Sequence, residues 1–309
     1  MLVCAPQVTS AQEYPNRVVR IIVPYTPGSP NDVLARLLVQ HLQPRLGQPV
    51  IIDNKPGGGT SIGSKAAANS PADGYTLLFS SSALVIEPAM NKLVEYDPQK
   101  DFAPIAFVAT AANLLTVNVD VPANSVPAFI EHAKANPGKL VLGFAQGTVS
   151  QLVGEYFNRM HGLDIISVPY RGGALVVPDM LGGRVHIYWP TPSTGLPLIR
   201  DGKIKVLAVT SAKRHADLPQ VPTMRELGKD ELSLEFWAGL WAPAGTPDAI
   251  IEKLNAVTNE ALQSSEMAAS LQKLGFETRA GSPQDFARFI AAEIPRWLTV
   301  VRKSDVKSP

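Results

Sequence analysis

Strand-like and helix-like patterns alternate along most of the chain, and this alternation restricts the fold more than any single residue does. A β-type run, VVRIIVP (18–24), passes through a Pro/Gly-rich loop into an amphipathic helical pattern over 29–46. PVIIDN (49–54) leads through a glycine loop to a helix over 61–69, and YTLLFS (75–80) leads into SSALVIEPAM. Such alternation predicts βαβ units with a mostly parallel sheet. In sheets of that kind ligands sit at the carboxyl ends of strands, where loops enter helices.

A second block begins with NLLTVNVDVP (113–122) and repeats the scheme. A helix is expected over 125–136, with Ser125 as N-cap and Asn136-Pro137-Gly138 as its stop. There follow KLVLGFA (139–145), a helix near 150–161, ISVPY, a helix near 174–181, RVHIYWP (184–190) and KIKVLAVT (203–210). LEFWAGLWAP reads as a long strand, and helices over 247–264, 266–274 and 282–303 close the chain. Two α/β halves, then a long strand and terminal helices, predict two lobes around a cleft. A length of 309 residues suits two such units.

Composition narrows the function. The chain carries 28 Lys and Arg against 27 Asp and Glu, a net charge of +1, with no polybasic tail or basic helical face. Nucleic-acid binding therefore lacks an electrostatic footprint. The start, MLVCAPQVTSAQEYP, reads as the tail of a secretory signal, with small residues at Thr9 and Ala11 and a mature end near Gln12, although the basic n-region is missing. The alternative is an unstructured N-terminal arm. Cys4, the single cysteine, lies inside this segment, so the mature protein would contain no disulfide and suit an oxidising compartment. Past that segment no stretch reaches the roughly 18 consecutive apolar residues of a membrane span.

Three loops carry the chemistry. Ser29-Pro30-Asn31-Asp32 makes a helix start, with Ser29 at N-cap, Pro30 at N1 and Asp32 at N3. Read as more than a cap, residues 26–31 place backbone donors at the positive end of a helix, a ready anion site. The Asp32 charge would repel an anion, so Asp32 is assigned to holding the loop or bridging a water. The stretch NKPGGGTSIGSK (54–65) nearly fits three motifs. Ser64-Lys65 inverts the order of a Walker A loop, a dinucleotide fingerprint would need an acidic residue that does not follow, and Gly59-Thr60-Ser61-Ile62-Gly63 lies too far from its strand for a nucleophile elbow. What survives is a glycine loop at a helix N-terminus that lets a small anion approach main-chain N–H groups. In the second block, Gln146-Gly147-Thr148-Val149-Ser150 and Tyr170-Arg171-Gly172-Gly173-Ala174 are matching loops before helices. Arg171 pairs with a carboxylate or is simply solvated. Tyr25, Tyr170 and Trp189 stand near strand ends and line the cleft or pack in the core. The five histidines show no metal-ligand spacing.

Several of these stretches also carry a resemblance. VPYTPGSPND, VIIDNKPGGGTSIGSKAAANSPADGYTLLFSSSA, YDPQKDFAPIAFVA, VPYRGGALVVPDMLGGRVHIYW, KVLAVTSAKRHADLPQVPT and WAPAGTP are similar to the solute-binding proteins of tripartite tricarboxylate transporters, the Bug family. The likeness extends over about residues 14–306. It implies a type II periplasmic-binding-protein fold: two α/β lobes, 14–115 with 239–309 and 116–238, joined by strands crossing near 114–119 and 234–240. It further implies a periplasmic, non-catalytic monomer without cofactor or metal that captures a small carboxylate, aromatic or dicarboxylic, for a membrane permease. Carried over residue by residue, the first-lobe contacts are Tyr25, Thr26, Pro27, Gly28, Asn31, Asp32, Gly58, Gly59 and Thr60, with Ser80, Ser81, Ser82 and Ala83 beside them. The second lobe contributes Gln146, Gly147, Thr148, Ser150, Tyr170, Arg171, Gly172, Gly173, Ala174 and Trp189. The chain departs from the family pattern at Ser29, where a glycine is usual, and at His186 and Pro190, where many members carry acids able to receive an ammonium group. Two other functions stay open from the residues: a serine hydrolase using Ser61, and a ligand sensor signalling to a receptor kinase.

Overall fold

A computed structural model describes residues 14–304; the expected signal segment and Cys4 lie outside the described residues. Eleven strands occur among these residues: β1 (Val19–Val23), β2 (Val50–Asn54), β3 (Thr76–Ser81), β4 (Phe102–Ala111), β5 (Leu114–Asn118), β6 (Val141–Ala145), β7 (Ile166–Tyr170), β8 (Ile187–Tyr188), β9 (Ile204–Val209), β10 (Phe236–Pro243) and β11 (Glu277–Thr278). The helices are α1 (Pro30–Leu46), α2 (Ser61–Ala68), α3 (Ala83–Met90), α4 (Val126–Ala135), α5 (Val149–His161), α6 (Val176–Leu181), α7 (Pro192–Arg200), α8 (Asp248–Gln263), α9 (Ser265–Lys273) and α10 (Pro283–Ser304).

The strands form two sheets, one in the order β11-β4-β10-β3-β1-β2 and one in the order β7-β6-β8-β5-β9. Each sheet is mixed rather than mostly parallel. β1 runs parallel to β2 and β3, and β6 runs parallel to β7 and β8, as βαβ units require. Antiparallel pairs arise where a strand arrives from the other sheet: β10 lies between β3 and β4, and β5 lies between β8 and β9. The chain passes from the first sheet to the second through Ala112 and Asn113, and returns before Phe236. β5 belongs wholly to the second sheet and β10 to the first, so both passages sit at the edges of the segments expected to cross.

Local chemistry accounts for most elements. In α1, Leu34, Ala35, Leu38, Leu42 and Leu46 recur at helical spacing and are buried against β1 and β3, each leucine contributing about 1.5–3 kcal/mol. Ser29 caps the helix by accepting from the Asp32 N–H, and Gly47, left-handed, ends it. β4 and α7 are absent from the sequence reading. Pro104 interrupts one pattern, and Pro192 and Pro197 mask the other. β8 spans two residues rather than seven, because Arg184 and Val185 donate backbone N–H groups to Asp179 O and Pro190 has none to donate.

Each passage is fastened separately, the outgoing one to the end of β9 and the returning one to α10. Asn113 N–H donates to Thr210 Oγ1 at 2.8 Å, and Thr210 N–H donates back to Asn113 O at 3.0 Å. On the other side, α10 packs on α3, β4 and α5, spanning both halves. Its Glu293, 6% exposed, accepts from the indoles of Trp237 at 2.9 Å and Trp297 at 2.8 Å, and from Arg296 at 3.0 Å. Arg296 also reaches Ser233 O at 2.5 Å, and Lys303 pairs with Glu231 at 2.6 Å, so the helix fastens the return passage. Replacing Glu293 by Ala strands two buried indole donors. Urea denaturation is expected to show a loss of about 2–5 kcal/mol, with Glu293→Gln costing less.

Candidate functional site

The carboxyl ends of β1, β2 and β3 face those of β6, β7 and β8 across a cleft of about 730 Å³, counting its open mouth. That is ample for a small organic molecule. Pro24, Tyr25, Ser29, Pro30 and Asn31 line it from the β1–α1 loop, residues 57–60 from the β2–α2 loop, and Ser81 from the end of β3. The opposite wall is built from Ala145, Gln146, Thr148, Val149, Ser150, Arg171, Gly172, Gly173, Tyr188, Trp189 and Thr191, with Asn113 and Phe236 at the back.

The β2–α2 loop has the least ordinary backbone among the described residues. Gly57, Gly58, Gly59 and Thr60 all take positive φ, at 128°, 55°, 60° and 87°. Thr60 is the one described residue other than glycine to do so, and for a β-branched residue this stores about 1–3 kcal/mol. Strain of that kind persists only where surroundings impose it. They do so here: a Cβ on Gly59 would fall 2.3–2.6 Å from the carboxylate atoms of Glu87, which is fully buried on α3. Gly147 of the second lobe leans on the same place, its Cβ position 2.5 Å from Glu87 Oε2 and 2.7 Å from Gly59 O. The two loops therefore meet backbone to backbone.

The β1–α1 loop is held by Asp32. Its carboxylate accepts from the Gly28 N–H, Arg36 Nε and Asn54 Nδ2, each at 2.9 Å. Burial works to raise the Asp32 pKa, yet these three donors outweigh it and hold the group below the usual carboxylate range. The expectation that Asp32 fastens the loop fits this geometry. Of the backbone donors anticipated over 26–31, the Gly28 N–H is committed to Asp32 and the Ser29 N–H to Thr26 O, while Pro27 and Pro30 have none. The Asn31 N–H, at the second helical position, is the orphan donor that points to the cleft end of α1.

Thirteen residues expected at the site line the cleft: Tyr25, Asn31, Gly58, Gly59, Thr60, Ser81, Gln146, Thr148, Ser150, Arg171, Gly172, Gly173 and Trp189. The others stand behind it. Thr26 packs against Gly172 across the lobes, Pro27 and Gly28 face outward, and Asp32 is buried beneath the loop. Ser80, Ser82 and Ala83 are buried at the β3–α3 junction, Gly147 supports Gly59, and Ala174 lies past the lining. Tyr170 departs from expectation: successive strand residues face opposite ways, and its hydroxyl donates to Asp179 at 2.6 Å, away from the cleft. Burial and that bond push its pKa up to about 12. Tyr188 lines the cleft in its place, and the HIYW run offered this only through its position at a strand end. Asn113 and Phe236 were also missed, since they come from the passages and carry no local motif. Ser61, weighed as a nucleophile, is the first residue of α2, with its hydroxyl against the Gly58 backbone.

Electrostatically the lining is plain. Arg171 is its single cation, and no Asp or Glu lines it. Burial raises the pKa of Tyr25 and Tyr188, so both phenols stay neutral; Tyr25 also bonds Ser81 Oγ at 2.6 Å. Four buried polar atoms on lining residues have no hydrogen-bond partner in the protein: Asn31 Oδ1, Thr60 Oγ1, Asn113 Oδ1 and Trp189 Nε1. Buried polar atoms are seldom left unpaired. No group of three or more His, Cys, Asp or Glu among the described residues is disposed to hold a metal ion.

Asp32→Asn keeps an acceptor for the Gly28 N–H but removes the charge facing Arg36, with an expected cost of about 1–3 kcal/mol at pH 7. Because folding lowers the Asp32 pKa, the stabilisation is complete above the unfolded value of about 3.9 and fades as pH falls through the folded value. Urea titrations at pH 7 and pH 3 should therefore show the gap between variant and wild type narrowing in acid.

Residues 34–306 match the tripartite tricarboxylate transporter family receptor, TctC. The chain is 38% identical to Protein BugT of Bordetella pertussis over 301 residues, covering 96% of this chain and 92% of that protein. Among solved structures it is similar to an R. palustris protein with adipate, at 35% identity and a TM-score of 0.91, covering 96% and 99% of the two chains. It is likewise similar to MatC from Rhodopseudomonas palustris with bound malate, at 30% identity and a TM-score of 0.89, covering 93% and 100%. Matched over almost its whole length by family and fold alike, the chain belongs to the receptor family of tripartite tricarboxylate transporters, with the architecture of its periplasmic binding proteins.

Proposed function

We propose that this protein captures a small mono- or dicarboxylate in the cleft and delivers it, in the periplasm, to the membrane permease of a tripartite tricarboxylate-type transporter. The observation that carries the reading is a cleft with main-chain donors at helix mouths, one cation and no acidic side chain. An anion meets no like charge there. A ligand ammonium finds no carboxylate: His186 accepts the Val141 N–H on its ring, and Pro190 offers nothing, which argues against amino acids. The adipate and malate held by two structural relatives support a carboxylate ligand. Phe236, Trp189 and Tyr188 favour one with an apolar body. Binding is followed by hinge closure and release, without turnover.

Calorimetric titration against a panel of carboxylates, with their esters and amides, tests the reading; esters that bind as tightly as the acids would overturn it. Closure is tested separately. Gly147→Ala drives a methyl group toward Gly59 O and Glu87, so affinity is expected to fall about ten- to hundredfold, with small-angle scattering of the ligand-mixed variant retaining the open dimensions. Thr60→Gly relieves the left-handed strain and is expected to raise stability by about 1 kcal/mol while weakening binding, a trade visible by comparing thermal unfolding with titration.

A further inference from the structure

We infer that Asn113 is a specificity-determining residue of the cleft: its side-chain carbonyl selects a carboxylate that also bears a neutral hydrogen-bond donor, a hydroxyl or an amide N–H. This rests on the proposed anion-binding role of the first-lobe loops and adds a requirement that those loops do not impose.

Asn113 belongs to the outgoing passage between β4 and β5, lines the back of the cleft and is 2% exposed. Three of its four polar groups are committed to the protein. Its N–H donates to Thr210 Oγ1 at 2.8 Å, its main-chain O accepts from the Thr210 N–H at 3.0 Å, and its Nδ2 donates to Trp189 O at 2.8 Å. The fourth, Oδ1, is buried and has no partner in the protein. The two amide atoms do not exchange places here, because a flipped amide would set Oδ1 against the carbonyl of Trp189. The group left over is therefore an acceptor. It is also held in place, since the backbone on one side and Nδ2 on the other are both fastened.

The anion itself cannot satisfy such an acceptor. An ionised carboxylate only accepts hydrogen bonds, so its oxygens belong with the main-chain donors of the helix mouths and are repelled by a carbonyl oxygen. The missing proton comes from another part of the ligand. An ammonium group would supply one, but it also brings a charge that no Asp or Glu of the lining receives. A hydroxyl or amide N–H supplies the proton without that charge. Selection then works by penalty: an analogue without the donor leaves a buried carbonyl stripped of water, and sites of this kind reject such analogues more sharply than they reject a missing methylene.

The test is calorimetry of the full chain with acids that carry a neutral donor and partners that lack it. The sets are malate with succinate and methoxysuccinate, mandelate with phenylacetate and α-methoxyphenylacetate, 4-hydroxybenzoate with benzoate and 4-methoxybenzoate, and succinamate with N,N-dimethylsuccinamate, each donor-bearing acid also as its methyl ester. The best donor-bearing acid is expected to bind wild type at least about tenfold tighter than its donor-free partners. Ethers, which keep the oxygen but not the proton, should bind no better than the deoxy acids. In Asn113→Leu, similar in size but without the carbonyl, the ratio should fall to near one. In Asn113→Asp, which keeps an acceptor oxygen, it should persist while all acids weaken. A purely structural role would weaken both members of a pair alike, so a full ratio retained in Asn113→Leu overturns the assignment. A wild-type ratio near one, as when an ordered water supplies the proton, overturns it too and needs no variant to fold; both results leave the anion-binding reading in place. Methyl esters binding as well as the acids, or no binding by any acid in the panel, overturns that reading and this inference with it.

Discussion

The wedge of Glu87 beneath the β2–α2 loop is the constraint on which the site depends. With the carboxylate this close, residue 59 has no room for a Cβ, and its backbone is left-handed. Glycine does so at no steric cost, and the neighbouring Thr60 is left-handed as well. The same wedge receives Gly147 from the other lobe, so the loop that presents main-chain donors is also the surface on which the lobes meet. Recognition and closure share one piece of backbone.

Charge is arranged with similar economy. Asp32, the acid of the β1–α1 loop, is turned into the fold, where Gly28, Arg36 and Asn54 use up its acceptor capacity. It shapes the loop without projecting negative charge toward the ligand. Tyr25 and Tyr188, held neutral by burial, add polarity without charge. What the cleft offers an anion is therefore mainly dipoles, which cost nothing to reorganise when the ligand arrives.

The two passages between the sheets are short and well bonded. The reciprocal bonds between Asn113 and Thr210 tie the outgoing passage to the end of β9, Thr110 Oγ1 at the end of β4 donates to Phe236 O at the return, and α10 lies across both halves on the far side. Asn113 also donates to Trp189 O at 2.8 Å, so the outgoing passage touches the cleft wall directly.

Much of the fold is local and hence legible in sequence. The Ser29 cap, the helical spacing of leucines in α1 and the small residues after each strand follow from propensity and periodicity, which neighbours in sequence decide. The loops that reach the cleft were legible for the same reason: a strand followed by glycine and a helix start can aim its backbone donors in only one direction. Tertiary structure alone decided what depends on distant partners. β4 and α7 need packing to override their prolines. The antiparallel insertions of β5 and β10 follow from how the chain returns between lobes, and Tyr188 replaces Tyr170 because a strand's facing is set by the pleat of its sheet. Asn113 and Phe236 enter the site only because two passages happen to cross behind it, and the pressure of Glu87 on Gly59 joins residues 28 positions apart that no short pattern connects.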